Sequence, residues 1–335
     1  MKNLYVTSVQ SSIQLALGDF NFVSNPYCVY KGTKAKFNFD AVLLFDEEAP
    51  CFIKDNLPLI KNAGIPVIGS KRYNKLIQAS TLHKLSIPHP LSYDIFGIDV
   101  KNDFCGWDIV LSELGQEQEI VLKAYNGARG IGQMKTTVGK AYKAYFSIME
   151  DMNNDDPVPS ELCKELEEER KLIKKEGKAK TLFHRDEKKT PLYCSSEGDA
   201  GNEGYLKTTL SGGNYFIQLY QSDIQKEYRI LAFRNNKFLI VERKREDKKW
   251  QCERGGKYIS DDITTVLKNE EINMLNKLLL DSNSPFLSID VYLNKKGKMG
   301  IFEYQMEFGY HNSSYDINKL KNYMVESIKT MINHE

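Results

Sequence analysis

Apolar and polar positions alternate most cleanly over residues 286–310, FLSIDVYLNKKGKMGIFEYQMEFGY. A two-residue period predicts strands, and the central lysines and glycine predict a tight turn between them. With Lys296 and Gly297 as the middle pair of a type I′ turn, Asp290 falls directly opposite Glu303, and Gln305 lies one strand period further along the same face. Ile289, Val291, Phe302 and Tyr304 then take the other face. A second alternation, IVLKAY at 120–125, sends Ile120, Leu122 and Ala124 to one side and Val121, Lys123 and Tyr125 to the other, so Lys123 points away from the apolar face. It leads straight into NGARGIG, where Gly127, Gly130 and Gly132 free the backbone for close approach to a ligand.

The remaining pattern supplies a frame. Strands are expected at 4–9, 39–45 and 65–68, with a helix over 51–63 ended by Gly64, which is the βαβ order of a parallel α/β unit. A helix capped by Ser70 carries Lys75 one turn in and Leu76, Ile77, Leu82 and Leu85 on its apolar positions, until Pro88 and Pro90 stop it. A strand at 92–96 and helices at 107–114 and 137–152 flank the lysine strand and its glycine loop. Residues 151–213 break the pattern with NNDDPVP, a charged run and a polar stretch rich in glycine, lysine and serine, and read as a surface insertion. Strands follow at 215–220, 227–233 and 237–243, the last two as a hairpin across 234–236, and then an amphipathic helix over 263–280.

Composition narrows the class without choosing a function. The 335 residues, 41% hydrophobic and 27% charged, suit a soluble globular protein of two or three domains. A net charge of +1 gives no general attraction to nucleic acid or to an anionic membrane, so neither is expected as a partner. The six cysteines form no metal-ligand or C-x-x-C spacing, and nowhere is there an apolar run of the ~18 residues needed to span a bilayer. A cytoplasmic location is the expectation.

Chemistry enters with the carboxylate pair. Like charges opposed across a sheet destabilise it unless something holds them. A divalent cation does so, and Mg²⁺ favours oxygen donors from one or two carboxylates with phosphates and waters completing its shell. Asp290, Glu303 and Gln305 are therefore the candidate metal ligands. Glu227 and Arg229 share one face of their strand and Arg243 ends the next; Arg254, followed by two glycines, adds another cation beside free backbone donors.

In order, these stretches resemble the ATP-grasp superfamily, and within it the carboxylate–amine ligases related to glutathione synthetase and the ribosomal-protein glutamate ligases. The resemblance covers roughly residues 70–310, without the insertion: N-K at Asn74-Lys75, I-V-L-K ending at Lys123, N-G-A-R-G-I-G, F-I-Q-L-Y at 216–220, E-Y-R at 227–229, Arg243, R-G-G at 254–256, S-I-D-V and F-E-Y-Q-M-E-F-G. It implies an α/β (α+β) ATP-grasp fold with an N-terminal α/β domain at 1–88, a central lid subdomain at 89–213 and a C-terminal subdomain at 214–335 that carries the metal site, the last two clamping ATP. It further implies nucleotide contacts from Lys75, Lys123, Gly127, Arg129, Gly130, Gly132, Gln218, Leu219, Tyr220 and Glu227. Arg229, Arg243 and Arg254 would act in catalysis, with ATP and Mg²⁺ or Mn²⁺ as cofactors. The activity implied joins a carboxylate to an amine, each a small molecule or a peptide, through an acylphosphate, with release of ADP and phosphate. The chain departs from the family pattern at Asn74, Leu219 and Gln305, where acidic, acidic and asparagine side chains are usual, and an asparagine expected after Trp250 is missing. A kinase acting on a hydroxyl and a non-catalytic ATP-binding regulator stay open as alternatives, as does a homo-oligomer.

Overall fold

The strand and helix periods of the sequence become four sheets and their covering helices in a computed structural model that describes residues 2–7, 18–31, 34–44, 51–69, 75–94, 106–124, 133–153, 215–244, 256–306 and 315–334. Close contacts divide the chain into two units, one of Met1–His89, Asp223–Lys244 and Glu253–Glu335, the other of Pro90–Ser222 and Arg245–Cys252.

The first unit begins with strands β1 (Asn3–Val6), β2 (Asn21–Val23), the hairpin β3 (Cys28–Lys31) and β4 (Lys34–Phe37), then β5 (Ala41–Leu43), helix α1 (Cys51–Asn62), β6 (Val67–Ile68) and α2 (Lys75–Lys84). β2, β1, β5 and β6 pair in that order as a parallel sheet. All three residues of β5 are buried, as a parallel strand covered on both faces requires, and α1 sets Ile53 and Ile60 against Phe37, Phe39 and Val42. The βαβ expectation for 39–68 holds.

The second unit runs through β7 (Ser92–Tyr93), α3 (Gly106–Leu114), β8 (Glu119–Ala124), β9 (Gln133–Thr137), α4 (Val138–Asn153) and β10 (Tyr215–Leu219). Its antiparallel sheet has the order β7-β10-β8-β9. Ile120, Leu122, Met134, Tyr215 and Ile217 form one face and pack on Trp107 and Val110 of α3 and on Val138, Ala141 and Ala144 of α4. Alternation then assigns Lys123, Lys135, Phe216 and Gln218 to the opposite face. β10 opens the C-terminal subdomain in the sequence reading; in the structure it is the partner of the lysine strand.

The chain returns to the first unit with β11 (Ile224–Phe233), β12 (Lys237–Arg243), β13 (Lys257–Ser260), a 3₁₀ turn (Ile263–Thr265), α5 (Asn269–Asp281), β14 (Phe286–Asn294), β15 (Met299–Gln305) and α6 (Ile317–His334). The five strands pair antiparallel as β13-β12-β11-β14-β15, with Leu275 and Leu278 of α5 and Leu320, Met324 and Ile328 of α6 in the same apolar cluster. The single helix expected over 263–280 is two pieces. Asp262 caps the 3₁₀ turn through the Thr264 N–H at 3.0 Å, and the Glu271 carboxylate accepts from the Lys268 N–H at 2.9 Å to start α5 afresh. Ile263 and Leu267 fit the helical period because both are buried, not because they share one helix. Among the described residues no helix is long and apolar enough to cross a membrane.

Candidate functional site

The opposition of Asp290 and Glu303 is present, although the turn that was expected to create it is not. Leu293 pairs with Met299, Tyr292 with Gly300 and Val291 with Ile301, which leaves three residues, 295–297, in the loop beyond the Asn294–Lys298 hydrogen bond. Gly297 takes φ +68°, and the Asn294 carboxamide oxygen accepts from the Lys296 and Lys298 N–H groups at 3.0 and 2.9 Å. This is the three-residue hairpin with a left-handed closing residue, in place of type I′. It shifts the register by one. The register passes over Phe302, an inserted bulge residue that shifts it back, so Asp290 again meets Glu303. The bulge also corrects the face of Phe302: its ring lies 4.6 Å from that of Tyr292, a residue on the Asp290 face, and not among the residues of the opposite side.

The Tyr292 ring in turn covers Gly300. A Cβ on Gly300 would lie 2.3 Å from the Tyr292 Cζ and hydroxyl oxygen. With Phe302 on the ring's flank, Gly300→Ala is expected to cost about 2 kcal/mol as overpacking, read from the denaturant midpoint.

Asp290 is held from the strand beside it. β11 places Arg229 directly opposite, and its guanidinium donates Nε–H to Oδ1 at 2.8 Å and an NH2 hydrogen to Oδ2 at 2.9 Å. Arg243, opposite Glu227 at the end of β12, donates from NH1 to Oδ2 at 2.9 Å. Glu303 pairs with Lys75 at the start of α2, Nζ to Oε2 being 2.8 Å. Both charged ends belong to the first unit. The like-charge problem is therefore met by three cations of the chain itself. Counting the buried Glu227, three carboxylates face three cations, and the six formal charges cancel.

The electrostatics follow from burial. Desolvation alone would raise the Asp290 carboxyl, but the charges of Arg229 and Arg243 and the hydrogen bonds of Arg229 outweigh it and hold it well below the usual carboxylate range. The same pairing raises Arg229 above its ordinary value, mainly through the Asp290 charge and against the desolvation that would lower it. One bidentate fork and one single charged hydrogen bond to the same buried carboxylate make a rigid anchor.

The donor set fits a hard divalent cation. Two carboxylates stand opposite each other, and Gln305 follows Glu303 on its own face, opposite Ser288. Asp290 uses three acceptor positions of the roughly four a carboxylate offers. Among the described residues no group of three or more His, Cys, Asp and Glu is gathered for a metal. An ion here would thus depend on Asp290, Glu303, Gln305 and oxygens from a ligand or water, which is the usual manner of Mg²⁺.

In the second unit Lys123 is buried, opposite Phe216 and Gln133. Gln218, also buried, donates from Nε2 to the Ser92 hydroxyl at 3.2 Å. Leu219 packs its side chain on the apolar cluster, and its N–H donates to the Leu91 carbonyl at 2.8 Å. Tyr220 lies under Lys135, whose Nζ is 3.9 Å from the ring centre and 2.8 Å from the Glu119 carboxylate. Gly127, Arg129, Gly130, Gly132 and Arg254, with Ser70, Asn74, Gly309 and most of the 151–213 insertion, lie outside the described residues.

Two residues beyond the sequence reading belong beside these. Gln78, one turn after Lys75, is buried and accepts the Tyr304 N–H at 3.3 Å, tying α2 to the strand of Glu303. Lys135 was visible only as the polar member of the short alternation QMKTT.

No family model matches the sequence, and no curated protein matches it either. Solved structures do. Carboxyaminoimidazole ribonucleotide synthase from Aspergillus clavatus, complexed with ATP, aligns over 97% of this chain and 77% of its own at a TM-score of 0.53 and 11% identity. The ATP-grasp ligase PsnB, complexed with the precursor peptide PsnA2 and AMPPNP, aligns over 98% of both chains at a TM-score of 0.50 and 11% identity. With the sheets, the helices and the order of their strands already in place, the chain has the ATP-grasp fold.

Proposed function

We propose that the protein is an ATP-dependent carboxylate–amine ligase. The observation that carries this reading is the sheet face on which Asp290 and Glu303 are opposed and bracketed by Arg229, Arg243 and Lys75, within an ATP-grasp fold. In the first step an oxygen of the acceptor carboxylate bonds to the γ-phosphorus of ATP, and the bond to the bridging oxygen breaks with its electrons leaving on ADP. In the second, the amine nitrogen bonds to the acyl carbon, the carbon–oxygen bond to phosphate breaks, and the amine proton passes to solvent. The protein's task in such transfers is positioning and charge neutralisation.

Arg229 gives two of its five donors to Asp290, and Arg243 gives one from NH1. Both arginines are assigned to the acceptor carboxylate and to the oxyanion of the second step, so that each would fix a metal ligand and also meet substrate charge. Arg254 is assigned to the same acceptor. Asp290, Glu303 and Gln305 would hold Mg²⁺, which supplies Lewis-acid neutralisation of phosphate charge when bound. Lys75, in the first unit, is assigned to nucleotide phosphate. In the second unit the nucleotide residues proposed are Lys123, Gln218, Leu219 and Tyr220, with Gly127, Arg129, Gly130 and Gly132 as the phosphate-covering loop. PsnB, of the same fold, is solved with a precursor peptide and AMPPNP, which supports a peptide as one class of acceptor here.

The reading is tested by incubating the chain with ATP, Mg²⁺ and pooled amino acids and short peptides. ADP should form beyond one equivalent per enzyme only when both a carboxylate and an amine are present. The product should weigh one water less than its two parents together. A stable phosphoester would identify a kinase, and nucleotide binding without ADP under any acceptor a regulator.

A further inference from the structure

Lys75 and Glu303 have different partners in the function proposed above, the nucleotide phosphate for one and the divalent cation for the other. In the structure they hold each other, at 2.8 Å, with side chains 12% and 23% exposed. Such a pair is neither fully screened by water nor sealed in the core, so its Coulomb attraction is substantial and can still be exchanged. Arg229 and Arg243 grip Asp290 through three hydrogen bonds, two of them a bidentate fork. Lys75 meets Glu303 as a point charge on a flexible stem at the first residue of α2. When a second cation competes for these carboxylates, the lysine is the group that yields.

The balance of charge points the same way. Among the described residues of this face Lys75, Arg229 and Arg243 are matched by Glu227, Asp290 and Glu303, so these six groups together offer a metal-free polyphosphate no formal surplus of positive charge. We infer that the Lys75–Glu303 ion pair makes this site select the metal-bound form of its nucleotide: Lys75 becomes a phosphate ligand only when a divalent cation displaces it from Glu303. This rests on the ligase reading of the site, and it adds to Lys75 a positioning role controlled by Glu303. By reciprocity, the lysine must also oppose binding of the metal alone.

The test uses the full chain and no turnover. In calorimetric titrations of wild type, Mg²⁺ should tighten ADP binding roughly five- to fiftyfold, the range of ordinary coupling. Glu303→Gln should tighten metal-free ADP binding by about threefold or more and remove most of the Mg²⁺ gain, while the Lys75→Met, Glu303→Gln double variant should show no metal-free gain over Lys75→Met. With the metal alone as probe, Mn²⁺ followed by electron paramagnetic resonance should bind Lys75→Met more tightly than wild type. The inference is overturned if Glu303→Gln leaves metal-free ADP binding unchanged or weaker, or if its gain persists without Lys75, or if Lys75→Met does not bind Mn²⁺ more tightly. Failure of wild type to bind ADP at any Mg²⁺ concentration would instead remove the nucleotide reading itself, and the inference with it.

Discussion

Asp290→Asn is expected to lower the unfolding free energy by about 3 kcal/mol and to reduce acceptor-dependent ADP formation at least a hundredfold. The substitution keeps size and one acceptor oxygen but removes the charge that Arg229 and Arg243 share. Two guanidinium groups, 21% and 17% exposed, then face one another without their common counter-charge. Breaking one member of a buried ion pair is costly because the remaining charge stays desolvated. Loss of turnover follows from the same event, since both the proposed metal ligand and the arginines it orients are disturbed. The two effects separate by measurement: chemical denaturation reads the first, and ADP release at temperatures where the variant is folded reads the second.

A dependence on pH accompanies this. The folded Asp290 carboxyl lies below its ordinary 3.8, through Arg229 and Arg243 acting against the desolvation that would raise it. A depressed carboxylate contributes stability that is present above its unfolded value and lost as pH falls through its folded one. Wild type should therefore lose this contribution only as the medium is acidified from about pH 4 downward. Asp290→Asn should lack that part of the acid limb.

Gly69→Ala is expected to destabilise by about 3 kcal/mol without touching any charged group of the site. Gly69 directly follows β6 with φ +93°, a conformation that an L side chain seldom adopts, and its N–H donates to the Asn283 carbonyl at 2.7 Å. A Cβ there would lie 2.4 Å from the Leu44 carbonyl oxygen and 3.2 Å from the Met306 sulfur. The first neighbour is backbone of the adjoining strand end and cannot turn aside. Strain and overlap therefore add, and the denaturant midpoint should fall while the m-value is kept. A change below about 1 kcal/mol would show that this strand end relaxes far more easily than a packed interior does.

Local periodicity made the two strands around Asp290 and Glu303 legible, along with the β11–β12 hairpin that pairs Glu227 with Arg243. The opposed carboxylates were legible partly through cancellation. The three-residue loop and the Phe302 bulge each move the register by one, and neither leaves a clear mark in KKGKMGIF. The partners of the carboxylates were not legible. Arg229 meets Asp290 only because β11 lies beside β14, a pairing between strands about sixty residues apart that alternation cannot rank against others. Lys75 is still more remote from Glu303, and nothing in the period of its helix ties it to that strand. The sequence thus supplied a metal as the remedy for like charges, where the fold has cations of its own already in place. The break at 266–268 was hidden for a related reason, because burial of Ile263 and Leu267 imitates one continuous helical face.

The acylphosphate route through this face is tested most directly by following oxygen. Wild-type protein is given ATP, Mg²⁺ and pooled amino acids and peptides whose carboxylates carry heavy oxygen, and the released phosphate is weighed by mass spectrometry. One heavy oxygen in each phosphate, with an amide product and with both abolished in Asp290→Asn, is the predicted result. ADP formation that yields unlabelled phosphate, or labelled phosphate that Asp290→Asn forms as fast as wild type, would contradict it.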